Sequence, residues 1–226
     1  MPDYANDIYH HQKRHTKTLH SANIILSILL KRLPEIRSAV DLGCGVGTWL
    51  SVLQEKGASR IQGADGDWVN PEFLVIPEAS FKQIDFGVKP IKVPGHYDLA
   101  ISLEVAEHLP PDNAQAFVQV LTELADFVLF SAAIPFQGGV GHVNEQWPEY
   151  WIDLFSELDY EVHDFIRPVI WNNKQIPVWY RQNILFFSHS RRSAEVDSLG
   201  GLKLPVNIVH PTLYLERLKK AGNQKS

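Results

Sequence analysis

The stretch Val40-Asp41-Leu42-Gly43-Cys44-Gly45-Val46-Gly47-Thr48-Trp49-Leu50 decides the fold of this chain. An acid closes a short apolar run, and three alternate glycines lead into a segment with helical spacing. Glycines in that pattern let a backbone turn at positive φ and pass close to a ligand at the end of a strand. A dinucleotide loop of the GxGxxG kind needs glycine where Thr48 stands, and the acid ahead of the first glycine repels a pyrophosphate while suiting a cationic amine.

Working outward, the next strand closes on Gly63-Ala64-Asp65, about 20 residues on, where a doubly wound fold places the carboxylate that holds a ribose diol. A third strand closes on Gln83-Ile84-Asp85-Phe86, an acid able to accept from an exocyclic amine beside an aromatic able to stack on a base. Singly, each acid reads as a solvated loop residue or a helix cap. On three successive strand ends they form a binding edge.

The remaining pattern alternates strands and helices, as βαβ units do. Strands are expected over 38–42, 60–64, 81–84, 97–103 and 127–132, with helices over 48–55, from Asp112 or Asn113 to Ala125, and over 149–158. Two more strands, 160–167 and 180–188, flank WNNKQIPVW with no helix between them, so the parallel sheet is expected to end in an antiparallel hairpin. Ser21 is expected to cap a helix carrying Ile24, Ile25, Ile28 and Leu29, closed off by Pro34. The segment after Ser190 reads as a loose linker before a short terminal helix over 211–220. The division is thus a helical cap (1–36), a core (37–189) and a tail (190–226).

Composition narrows the function. With 226 residues, 45% hydrophobic and 21% charged, the chain suits one domain with a sizeable core. Its apolar run NIILSILL is far short of the roughly 20 residues that span a membrane, and the N-terminal stretch shows no signal or anchor, so a cytoplasmic location is expected. A net charge of −5, with the acids dispersed, argues against a large phosphate footprint on nucleic acid. The single cysteine, Cys44, rules out an intramolecular disulfide and a cysteine-rich zinc site. Four of the 6 tryptophans, Trp147, Trp151, Trp171 and Trp179, fall in one quarter of the sequence.

On VDLGCGVGTWL, Asp65, Asp85, YDLAISLEVAEHL and the closing hairpin, the chain resembles the class I S-adenosylmethionine-dependent methyltransferases over residues 40–188. The resemblance implies a Rossmann-like α/β fold: a doubly wound, seven-stranded, mostly parallel sheet of order 3-2-1-4-5-7-6. It implies S-adenosylmethionine as cofactor, with Gly43, Gly45 and Gly47 at its methionine end and Asp41 on its ammonium. Asp65 would take the ribose hydroxyls, Asp85 the adenine amine and Phe86 the side of the ring, while Leu103 and Glu104 line the site. Tyr4, Tyr9 and His10 would close over the cofactor from the N-terminal segment.

The sulfonium is itself a good leaving group, so the protein has to position an acceptor and, for a hydroxyl, remove its proton. In Gly138-Gly139-Val140-Gly141-His142-Val143-Asn144-Glu145, a histidine follows a glycine run at the carboxyl end of the sheet. His142 is the candidate base, Glu145 its orienting partner and His108 a further catalytic candidate, with Trp147, Tyr150, Trp151, Trp171, Trp179 and Tyr180 as walls for a planar or sugar ring. The acceptor expected is a small polar molecule: a sugar, nucleotide sugar or secondary metabolite, in a biosynthetic setting.

Alternatives stay open. Glu104, Glu107, His108 and His142 offer the oxygen and nitrogen donors of a divalent-metal site, and the set E-x-x-E-H plus histidine resembles that of metal-assisted methyltransferases acting on RNA ends. N-methylation, and a non-catalytic cofactor-binding protein serving a partner complex, are the other readings.

Overall fold

The computed structural model describes residues 8–196 and 205–223, with side chains over 15–196 and 205–221. A long helix α1 (Ile8–Leu30) precedes β1 (Ser38–Leu42), α2 (Thr48–Glu55), β2 (Arg60–Asp65), β3 (Phe81–Gln83) and β4 (Leu99–Leu103). Then come α3 (Ala114–Leu124), β5 (Phe127–Ser131), α4 (Pro148–Ser156) and β6 (Tyr160–His163). Two short helices, α5 (Arg167–Ile170) and α6 (Val178–Asn183), lead to β7 (Leu185–His189), and α7 (Pro211–Asn223) closes the chain.

The seven strands form one sheet of order β3-β2-β1-β4-β5-β7-β6, parallel except where β7 runs antiparallel to both β5 and β6. This is the expected topology, and β3 and β6 are its two edges. Central strands β1, β4 and β5 are buried at every position, as parallel strands covered by helices on both faces must be. One face buries Ala22, Ile25, Leu26 and Leu29 of α1 with Trp49, Leu50, Val52 and Leu53 of α2. On the other, Phe117, Val118 and Leu121 of α3 pack with Trp151 and Phe155 of α4. Both helical sets follow the three-and-four spacing of a helix stripe.

Three expectations need correction. Ser21 is not a cap: α1 runs through it, and its buried hydroxyl donates to the Lys17 carbonyl one turn back, at 3.1 Å. Helices do lie between β6 and β7. Residues 180–183 coil because Arg181, Gln182 and Asn183 are all buried polar groups with partners on both sides, which no strand alternation accommodates. Finally, residues 206–210 are docked rather than loose. Arg167 Nη1 donates to the Val206 carbonyl at 3.2 Å, Gln182 Nε2 to the Ile208 carbonyl at 2.5 Å, and Asn207 pairs with Glu149 through both side-chain and backbone groups.

No helix among the described residues is long and apolar enough to cross a membrane. The carboxyl ends of β1, β2, β4 and β5 converge on one rim, with the order reversing between β1 and β4. Ligands of open α/β sheets bind at such a switch point.

Candidate active site

β1 delivers Asp41 to that rim and the chain turns at once. Gly43 sits at φ 86, where a Cβ would fall 2.2 Å from Val105 Cγ2, so only glycine lets the loop pass beneath the segment after β4. The Gly43 and Cys44 amides donate to the Ala64 carbonyl, at 2.8 and 3.2 Å, which fastens the loop to β2. Asp65 then braces it: one carboxylate oxygen accepts from the Gly45 amide at 2.7 Å and the other from the Gly66 amide at 2.7 Å. A carboxylate has about four acceptor sites, so lone pairs remain for a ribose diol.

Burial raises the pKa of Asp65, opposed by those two amides. Asp41 is pushed well above the usual carboxylate range by burial and then by the Asp65 charge, and its Oδ2 has no hydrogen-bond partner among the described residues. A buried acceptor left unpaired is costly unless a ligand completes it, and a cationic amine is the natural complement. The Cys44 thiol is pushed up by burial and by both acids, which makes it a packing group and not a nucleophile.

One of the two expected contacts after β3 sits differently. Phe86 is a core ring, 3% exposed and edge-on to Phe117 at 5.5 Å, so it is not free to lie along a base. Asp85 is exposed at the rim and accepts from the Gly87 amide at 2.7 Å. From above, α1 brings His15 Nδ1 to 3.0 Å from Thr48 Oγ1 at the start of α2, a contact the sequence did not flag. Tyr4 and the side chains of Tyr9 and His10 lie outside the described residues.

Leu103 ends β4, 8% exposed. The next residue, Glu104, is held at φ 59, a conformation that costs a non-glycine residue about 1–3 kcal/mol and persists only where surroundings over-determine it. Here they do. Its amide donates to the Ser131 carbonyl at 3.0 Å, and its two carboxylate oxygens accept from Asn183 Nδ2 and Gln137 Nε2, each at 2.9 Å. Asn183 also donates to Gln137 Oε1 at 2.9 Å, closing a triangle of one acid and two amides. Burial raises the pKa of Glu104, opposed by these donors. Neither Gln137 nor Asn183 stood out in the sequence.

Beyond Glu104, Glu107 is fully buried, and neither of its carboxylate oxygens has a well-formed hydrogen bond among the described residues. Burial, then the Glu104 charge, pushes its pKa up to about 9. Glu107, His108 and His142 each offer a donor atom within 4.8 Å of the others, and Glu104, occupied by its amides, stands outside that set. The His108 and His142 rings meet edge to face at 4.8 Å.

His142 Nδ1 lies 2.8 Å from Glu145 Oε1. Since a carboxylate accepts, Nδ1 is the donor, and in the neutral ring the lone pair falls on Nε2. Glu145 is itself anchored by the Gly138 amide at 2.6 Å, and the imidazole edge lies so close over Gly139 that a Cβ there would fall 2.1 Å from Nε2. His108 Nδ1, 3.3 Å from the Gly141 carbonyl, donates in the same sense and leaves its own Nε2 open.

The aromatic wall is thinner than expected. Trp151 is core, packed against Phe130 at 5.3 Å, and Tyr180 is buried edge-on to Trp49. Trp171 rests on His210 at 4.5 Å. Trp147 and Trp179 are the exposed pair, at 40% and 42%, and Phe136, on the loop after β5, is 85% exposed.

A profile described as "Methyltransferase domain" matches residues 9–155. No curated protein matches. Among solved structures, the chain is similar to magnesium protoporphyrin IX methyltransferase from Synechocystis PCC 6803 with bound SAH: TM-score 0.55, 19% identity, 77% of this chain and 84% of that one. It is also similar to the putative methyltransferase in complex with the Haloferax volcanii Trm112 activator, with TM-score 0.53, 17% identity and coverage of 79% and 90%. For the small RNA methyltransferase HEN1 the values are 0.51 and 17%, over 75% of this chain and 25% of that one. Likeness at these identities speaks to fold, and the profile covers more than half of the chain: it belongs to the methyltransferase-domain family, with the architecture of the class I S-adenosylmethionine-dependent enzymes.

Proposed function

We propose that the protein transfers a methyl group from S-adenosylmethionine to an oxygen of a small polar acceptor, with His142 as general base. One observation supports this reading: the Glu145–His142 hydrogen bond of 2.8 Å, which in the neutral ring puts the proton on Nδ1 and leaves Nε2 to accept at the carboxyl rim of the sheet. Gly43, Gly45, Gly47 and Asp41 cradle the methionine end and Asp65 the ribose. A hydroxyl whose oxygen lies in line with the S-methyl bond loses its proton to Nε2 as the C–O bond forms and the C–S bond breaks. Glu145 holds the ring in place and stabilises the imidazolium, as the carboxylate partner of a catalytic histidine does.

Transfer of labelled methyl groups to a panel of sugars, nucleotide sugars and phenols identifies the acceptor. On it, His142→Ala is expected to lower kcat by about 10²–10⁴ without changing S-adenosylmethionine affinity. Near-normal turnover would remove His142 as base.

A specific observation favours a second reading: the buried carboxylate of Glu107, without a well-formed hydrogen bond among the described residues, lies within 4.8 Å of His108 and His142 donors. This oxygen and nitrogen set fits a hard or intermediate divalent ion, which when bound would lower the pKa of an acceptor hydroxyl. Glu107, His108 and His142 would hold it, Glu107 in its ionised form. Activity lost on chelation and restored by magnesium or manganese supports this reading, and activity unmoved by exhaustive chelation excludes it.

A further inference from the structure

The terminal helix, in which the sequence shows no chemistry, brings a cation to the acceptor loop. α7 is fixed to the body by Leu213, 3% exposed, and by His210, whose amide donates to Gln182 Oε1 and whose Nε2 donates to the Trp171 carbonyl at 2.8 Å. Gln182 adjoins Asn183, so α7 and the Glu104 triangle share one rigid support. One turn beyond Leu213 stands Arg217, half-buried. Its guanidinium lies against Gly138, Nη1 nearest: a Cβ there would fall 2.9 Å from Nη1 and 3.4 Å from Cζ. Gly138 is the residue whose amide anchors Glu145, and through it His142.

Arg37, Arg167, Arg191 and Arg192 each pair with a carboxylate. Arg217 does not: it forms no ion pair among the described residues, and its Nε is buried without a hydrogen-bond partner. Glu145 Oε1, the carboxylate oxygen anchored on the same loop, is already used twice. A partly desolvated guanidinium whose Nε lacks a partner is an unfinished contact, and its planar fork matches an oxyanion.

We propose that Arg217 recognises an anionic group of the acceptor, a phosphate or a carboxylate, and so selects a charged molecule such as a sugar phosphate, nucleotide sugar or sugar acid. Glycine at 138 is what allows the guanidinium to settle against the loop. This inference rests on the loop after β5 being the acceptor side, but not on His142 being the base.

The test uses the S-adenosylhomocysteine-loaded full chain with ¹⁵N-labelled arginine, titrated with methyl phosphate in one arm and acetate in the other. A saturable shift of the Arg217 Nε–H resonance is expected in at least one arm, which names the anion, while the Arg37 and Arg191 signals stay put. Arg217→Gln should weaken binding of that probe by about tenfold to a hundredfold, the range for a lost charge-assisted hydrogen bond, with Arg217→Lys intermediate and S-adenosylhomocysteine affinity unchanged in both. No shift with either probe at millimolar concentrations, or equal binding by Arg217→Gln, would overturn the proposal. If neither variant folds, the titration of the unaltered protein decides alone. His142→Ala should leave the shift intact, so failure of the base assignment and failure of this one are separable.

Discussion

Two alanines in the same loop should behave oppositely. At Gly43, alanine meets a left-handed φ of 86 and a methyl group of Val105 only 2.2 Å from the new Cβ. The conformation costs about 1–2 kcal/mol, forcing extra volume into packed surroundings costs about 1–3 kcal/mol, and reduced freedom of the unfolded chain returns about 0.4–1 kcal/mol. The net is a loss of about 1–4.6 kcal/mol, or roughly 2–18 °C in melting temperature at about 2–4 °C per kcal/mol for a chain of this size. At Gly45 the φ is 53 and nothing lies within 4 Å of a Cβ. There the unfolded-state gain offsets much of the strain, leaving a loss of about 0–1.6 kcal/mol.

That open space is where the cofactor is assigned. Gly45→Ala should therefore melt within a few degrees of the unaltered protein while binding S-adenosylhomocysteine much more weakly. Gly43→Ala should melt far lower, and adding Val105→Ala should recover part of the loss. Differential scanning fluorimetry with and without the ligand reads both effects. Equal melting of the two single variants would mean that Val105 does not confine Gly43, and undiminished affinity in Gly45→Ala would mean that the cofactor does not occupy this space.

Glu145→Gln keeps a hydrogen-bond partner for His142 but not the charge, so kcat should fall less than in His142→Ala, with the acceptor KM little changed in steady-state kinetics. Asn183→Ala removes the donor to one Glu104 oxygen, and an unmet buried acceptor costs about 1–3 kcal/mol, visible as a lower urea midpoint. Asp98 bridges β1 to β4. Burial would raise its pKa, but hydrogen bonds from Ser38 and the Arg37 amide together outweigh it, and the net shift is downward from 3.8. A depressed carboxylate pKa gives stability that is full above the unfolded value and lost as pH falls through the folded one. Urea midpoints of Asp98→Asn should therefore lie below those of the unaltered protein at neutral pH and converge with them as the pH drops below 3.8.

What is legible in the sequence is what is local. An acid at a strand end and glycines at alternate positions impose their conformation within a few residues, so the loop over 41–48 and the acid of β2 can be located from the residues alone. Asp85 can be found the same way, but Phe86 cannot be assigned a role, because whether an aromatic beside a strand end faces ligand or core depends on α3 delivering Phe117 behind it. The same holds for the tryptophans. Trp151 lies four residues from Phe155, a core spacing, and the core claims both.

The long-range polar contacts are not legible. Gln137 and Asn183 are 46 residues apart and meet only because β5 and β7 are neighbours in the sheet. A signal for them does exist: the buried run Arg181-Gln182-Asn183 sits between apolar Tyr180 and Ile184, a break in alternation that marks groups held for their hydrogen bonds. The docking of residues 206–210 depends on Arg167 and Gln182 reaching backbone carbonyls, and no side-chain pattern in the docked segment records it.

The central claim is that the rim formed by Gly43–Gly47 and Asp65 holds S-adenosylmethionine. Isothermal titration of S-adenosylhomocysteine into the unaltered protein and into Asp65→Asn, with NAD as the comparison ligand, tests it most directly. Tight binding to the unaltered protein, a loss of about 1–3 kcal/mol in the variant and no NAD response are expected. Binding of NAD in preference, or an affinity indifferent to the loss of the Asp65 charge, would contradict it.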